Sequence, residues 1–370
     1  MNKSFALTLT ALILAACNSA TPAPTAAPVA KPAQPTLAPT LVPTAAPTSV
    51  PTLAPKPTDV PKPTEAPKPT ATPKPKMVVA TTVEPLTNIV YNIGGNRIEL
   101  IGIIPPGTDS HTFEPAPSDA VRLAQADVVF VNGLFLEEPT VKLAKANLKK
   151  GAEIVQFGEN TIKQQDWVFD FSFPKDEGKP NPHLWMNPLY ALRYAELTKD
   201  ALSRRDADNA DFYAKNYAAY KTRIEALDVA IKKTIDSIPA ANRRLLTYHD
   251  SFAYFAPRYG MKVIGAIQPS SFSEPTAKEV AQLIQQIKAE KVPAIFGSEV
   301  FPSKILEQIK KESGAQIIET LSDDALPGEE NAPNHTYIGM MVDDAITMAK
   351  VLGGKPELIS TFDVTNVVTK

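Results

Sequence analysis

The chain has 370 residues, 44% of them hydrophobic and 21% charged, with a formal net charge of −2 and a single cysteine. One cysteine excludes an internal disulfide framework and thiolate metal or redox chemistry. The slightly acidic balance argues against a nucleic-acid partner, which would call for a basic surface.

The first residues, "MNKSFALTLTALILAAC", set one lysine before an apolar run and small residues before Cys17. The run is too short for a membrane span and reads as a secretory signal. "LILAAC" looks like a bacterial lipobox, which assigns 1–17 to a lipoprotein signal with Cys17 as the lipidated residue. The expected location is outside the cytoplasmic membrane, anchored by that lipid at a cell surface or in a periplasm.

Residues 18–76 form a linker rich in Pro, Thr, Ala and Lys. Its last 55 residues hold 17 of the 36 prolines and almost no large apolar side chain. Such a segment buries too little to offset its ordering entropy and is expected to be an extended spacer. At polyproline pitch it reaches on the order of 170 Å. It carries six lysines against Asp59 and Glu65; setting that charge and Lys3 aside leaves about −7 from Met77 onward.

From Met77 the pattern changes. Short β-rich runs at 77–83, 97–104, 126–133 and 152–157 each precede a helical pattern, and a second set follows at 243–248, 261–267, 293–299 and 315–320. Strands separated by helix-length segments imply parallel sheets covered by helices. The expected fold is α/β with two Rossmann-like lobes, each a parallel four-stranded sheet flanked by helices, joined by one long rigid helix. The boundaries are 77–187 for the first lobe, 188–242 for a helical segment and 243–370 for the second lobe. Within the middle segment, Tyr213, Tyr217, Tyr220, Ile224, Leu227 and Ile231 recur at steps of three and four, drawing one apolar stripe. Asp206 or Asp208 is the expected cap at its start and Pro239 the stop.

Of four histidines, three lie in loops or at helix starts after strand patterns: His111 in "PPGTDSHTFEP", His183 in "NPHLWMNP" and His249 in "LLTYHDSFAYF". In open parallel sheets ligands bind beyond the carboxyl ends of the strands, where such loops converge. Three neutral imidazoles suit Zn(II) and other borderline divalent ions, and one carboxylate would complete the set. Asp324, in "TLSDDALPG", is the first candidate and Asp323 the second. His335 follows no strand and reads as a surface residue. The histidines are 72 and 66 residues apart, so no local motif such as H-E-x-x-H is present.

These residues carry a resemblance. "PPGTDSHTFEPAPSDAVRLAQADVVFVNGLFLE", "NPHLWMNP", "TYHDSFAYFAPRYG", "FGSEVFPSKILEQIKKESGAQI", and "DALPG" followed by "TYIGMM" resemble, in this order, the zinc and manganese substrate-binding lipoproteins of bacterial ABC importers. The resemblance runs from about Met77 to the C-terminus. It implies metal ligation by His111 and His183 from the first lobe and by His249 and Asp324 from the second. The doubled acid at Asp323 and Asp324 departs from the family's single acid, and residues 167–180 lack the histidine-rich loop of many zinc-specific members. Nitrogen-rich ligation favours Zn(II) as cargo, with Mn(II) or Fe(II) as alternatives. Glu299 and Asp250 are candidate acceptors behind the imidazoles, Asp250 competing as a helix N-cap. The implied partners are a permease and its ATPase, with the receptor acting as a monomer. The rivals are a secreted zinc hydrolase and an adhesin with a structural metal. A hydrolase needs an open metal position that four protein ligands do not leave.

Overall fold

The computed structural model describes residues 75–268, 271–298 and 304–368; Cys17, the linker before residue 75, and Glu299 lie outside the described residues. The first lobe runs β1 (Met77–Thr81), α1 (Glu84–Gly94), β2 (Ile98–Gly102), α2 (Pro117–Gln125), β3 (Val128–Val131), α3 (Glu138–Asn147) and β4 (Glu153–Gln156). Two helices follow, α4 (Pro188–Arg205) and α5 (Ala210–Asp236). The second lobe holds β5 (Arg244–Thr247), α6 (Phe255–Tyr259), β6 (Lys262–Ala266), α7 (Ala277–Glu290), β7 (Ala294–Ser298), α8 (Lys304–Ser313), β8 (Gln316–Leu321) and α9 (Tyr337–Leu352).

All eight expected strands form, in two parallel sheets of the same topology, β2-β1-β3-β4 and β6-β5-β7-β8. In each sheet the first strand in the chain is flanked by the second and the third. The connections therefore leave in opposite directions and open a crevice at the strands' carboxyl ends. β3 reads Val-Val-Phe-Val and is buried throughout, as a parallel strand covered on both faces should be. Local signals fix the helix starts. Pro85, Pro117, Pro139 and Pro188 open their helices, where a missing N–H costs nothing. Thr276 and Glu279 close a reciprocal capping box on α7.

The long helix is 27 residues, about 40 Å at the α-helical rise. Its buried face is Tyr213, Asn216, Tyr220, Ile224, Leu227 and Ile231. Tyr217 is only partly buried, with Lys199 over its ring; Asn216 takes the inner position and donates to the Ile93 carbonyl. Neither expected aspartate caps the helix. A short 3₁₀ turn precedes it, and Asp206 instead accepts from Tyr213 Oη at 2.8 Å and Asn209 Nδ2 at 2.7 Å. Helix α5 packs on α1, α4, α6 and α9, and one continuous core runs from Val79 through Tyr220 and Leu227 to Phe296 and Leu352. It braces both sheets. Beyond α9 the chain returns to α1, where Asn366 Oδ1 accepts from Asn88 and Asn92.

Candidate metal centre

Each histidine is placed by its own backbone and side-chain constraints. After β2 the Pro105-Pro106-Gly107 stretch breaks the chain direction, Gly107 taking a φ of 70° that glycine adopts without strain. Asp109 then accepts the His111 N–H at 2.9 Å and the Thr112 hydroxyl at 2.5 Å, an Asx-type turn that presents the His111 ring. His183 lies beyond β4 on a segment anchored to the end of β3, where Asn132 Nδ2 donates to the Pro182 carbonyl at 2.9 Å. His249 stands two residues after β5, its carbonyl held by Thr247 Oγ1 at 2.7 Å.

The three rings meet. His111 Nε2 lies 3.2 Å from His183 Nε2, and His249 Nε2 lies 3.1 Å from the same atom. His183 and His249 are buried and His111 is half-buried, so His111 is the ring of the three nearest solvent. Phe272 stacks on the His111 ring at 4.4 Å and 15°, and Phe173 lies 5.6 Å from it at 43°. A groove of about 1080 Å³ opens beside them, lined in part by Phe135, Phe173 and Phe272.

Both acids of the doubled pair border the site, on different sides. Asp323 Oδ2 is 3.2 Å from His249 Nε2. Asp324 Oδ2 accepts from Ser110 N at 3.1 Å and Ser110 Oγ at 2.6 Å, beside His111, and forms with Asp109 and His111 a second group of closely spaced donor atoms. Burial, and secondarily the neighbouring imidazole of His249, push the His111 pKa well below the ordinary histidine value. Burial, then His249 and His111, do the same to His183. Both rings are therefore neutral near pH 7, the form that ligates a metal.

The acceptor behind His183 is Asn181, which the sequence reading passed over. Its Oδ1 accepts both the His183 backbone N–H and Nδ1, each at 2.9 Å, while its Nδ2 donates to Asp170 Oδ2 at 2.7 Å and to the Asp250 carbonyl. A side-chain oxygen two residues before a histidine, Asn-Pro-His, is the local signal that could have found it. Asp250 takes neither expected role. Its carboxylate bonds no imidazole, and α6 begins five residues later with no side-chain cap. Burial, then the Asp170 carboxylate, raise its pKa well above the usual carboxylate range. Burial likewise pushes Asp170 up to about 6.

His335 is not the surface residue its polar segment implied. Its Nε2 lies 3.1 Å from Glu84 Oε1 on α1, and Glu84 Oε2 accepts the Leu326 N–H at 2.7 Å, tying the loop after Asp324 to the first lobe. His335 does not join the other three histidines.

The arrangement can hold one divalent ion between three nitrogens and adjacent carboxylates. Residues 79–351 match the family model of the zinc-uptake complex component A, ZnuA, a periplasmic protein. Similar proteins include the iron-binding protein YfeA of Yersinia pestis, 31% identical over 75% of this chain and 87% of its own. The manganese ABC transporter substrate-binding lipoprotein PsaA of Streptococcus pneumoniae is 29% identical over 72% and 86%. Among solved structures, the periplasmic zinc binding protein TroA of Treponema pallidum superposes with a TM-score of 0.68 at 26% identity, covering 75% of this chain and 99% of that one. A two-lobed fold, converging histidines and a match over most of the folded part agree: the chain belongs to the ZnuA family of periplasmic metal-binding receptors.

Proposed function

We propose that the chain captures one divalent transition-metal ion between its lobes and delivers it to an ABC importer, with Zn(II) the cargo held tightest. His111 and His183 bind from the first lobe, His249 and Asp324 from the second. The observation that carries this reading is the spacing of the three Nε2 atoms, 3.1 and 3.2 Å, in a buried crevice at the strands' carboxyl ends. Three neutral imidazoles favour Zn(II) over Mn(II) and Fe(II) by ligand softness and by the Irving–Williams order. The names of PsaA and YfeA set manganese and iron beside zinc as cargo within this kinship. The family is one of substrate receptors, not enzymes. The partners are the importer's permease and ATPase, the anchor is a lipid on Cys17, and the receptor works as a monomer. Among the described residues no helix is long and apolar enough to cross a membrane, in keeping with such an anchor.

Metal content by mass spectrometry on the full chain, with competitive titration of Zn(II) and Mn(II), tests this. One tightly held zinc per chain, lost in His249→Ala, is expected. The absence of stoichiometric metal would overturn the proposal.

A further inference from the structure

The doubled acid after β8 points beyond a four-ligand site. Asp323 is buried; its Oδ1 accepts the Asp324 N–H at 2.9 Å, and its backbone carbonyl, which accepts Trp185 Nε1 at 2.8 Å, fixes the main chain there. The remaining oxygen, Oδ2, faces His249 Nε2 at 3.2 Å, the ring nitrogen that also approaches His183 Nε2. Asp324 occupies the opposite side, beside Ser110 and His111.

We propose that Asp323 is a metal ligand in addition to Asp324, giving a donor set of three nitrogens and two carboxylates that accepts Mn(II) and Fe(II) as well as Zn(II). This rests on the metal-receptor reading above and names the class of cargo.

The charge balance supports it. A divalent ion with three neutral imidazoles and one carboxylate is a buried +1, whereas a second carboxylate makes the site neutral and removes the cost of burying a net charge. Added oxygen donors and a higher coordination number favour manganese and ferrous iron relative to zinc.

The test is a chelator-buffered titration of the full chain, wild type and Asp323→Asn, with Zn(II) and with Mn(II). X-ray absorption on the zinc-loaded proteins would count the nitrogen and oxygen donors. Asparagine keeps the Oδ1 that accepts the Asp324 N–H and removes the anionic Oδ2. The expected result is a Mn(II) affinity that falls at least ~10-fold further than that for Zn(II), with one donor lost, since even outer-sphere changes alter metal affinity by 10–100-fold. An unchanged Zn/Mn ratio and donor count would overturn the role of Asp323 while leaving the receptor reading intact. Wild type binding neither ion would overturn both. If Asp323→Asn does not fold, a crystal structure of the zinc-loaded wild type decides alone: an Asp323 oxygen within about 2.2 Å of the metal supports the inference, and its absence from the metal's donors overturns it.

Discussion

Asn181 determines the protonation of His183. Its Oδ1 faces a backbone N–H, which can only donate, and its Nδ2 faces a backbone carbonyl, which can only accept. The amide therefore has one orientation, and the His183 Nδ1 at 2.9 Å from that Oδ1 must carry the hydrogen. Nε2 is left with a lone pair directed at the other two rings.

Asn181→Ala should weaken zinc binding by about 10–100-fold with the fold retained, because an imidazole without its second partner loses both tautomer and orientation. Competitive titration measures this. An affinity equal to wild type would show that the ring is held by packing against Trp185 and Phe173 instead.

Metal should be retained to unusually low pH. Protons compete with a metal for imidazole below its pKa, ordinarily about 6.5. His111 and His183 titrate well below that value, so half-release should fall below pH 6.5, read as metal content after dialysis across pH 4 to 8. The sign for the metal-free fold follows from the same shift. The unfolded chain binds protons on these rings first, so apo stability should decline as pH falls below about 6.5.

The joint between α5 and α6 depends on Asp228. It accepts from Arg258 Nε at 2.5 Å, from an Arg258 terminal nitrogen at 2.5 Å and from Tyr259 Oη at 2.7 Å. Partial burial raises its pKa, but the Arg258 and Tyr259 bonds prevail and hold it below the usual carboxylate value. Asp228→Asn should cost about 1.5–3 kcal/mol of unfolding free energy near neutral pH, the range for hydrogen bonds to a charged group. In wild type this contribution is present above the unfolded pKa of about 3.9 and is lost as pH falls through the lower folded value. Urea titration of both proteins at pH 7 and pH 3 checks the magnitude and the sign.

Tyr220 offers a gain. It is fully buried on the inner face of α5, and its hydroxyl has no hydrogen-bond partner among the described residues. Tyr220→Phe removes a desolvated donor and keeps the ring, so stability should hold or rise by about 1 kcal/mol. A loss of that size in thermal unfolding would mean the hydroxyl is bonded after all.

What could be read from the chain followed its local physics. Eight β-rich runs separated by helix-length patterns identify two parallel sheets, because strand and helix periodicities are properties of near neighbours. The stripe from Tyr213 to Ile231 identifies the brace for the same reason, and it misleads only at Tyr217, where packing with α1 places Asn216 inside. The loop positions of His111, His183 and His249 mark them as candidates, since strand ends are where such sheets bind ligands.

What only the tertiary structure decided concerns partners distant in sequence. Glu84 meets His335 251 residues away, which turns an apparent surface histidine into a tie between the lobes. Asp323 and Asp324, adjacent in the chain, face different histidines because a loop after β8 turns one carboxylate toward His249 and the other toward Ser110. Sequence alone determined which residue types could bind a metal and on which elements they would lie. Only the packing of both lobes on α5 could bring the His111 and His249 rings to within 3.2 Å of His183, because those distances depend on contacts made across the whole fold.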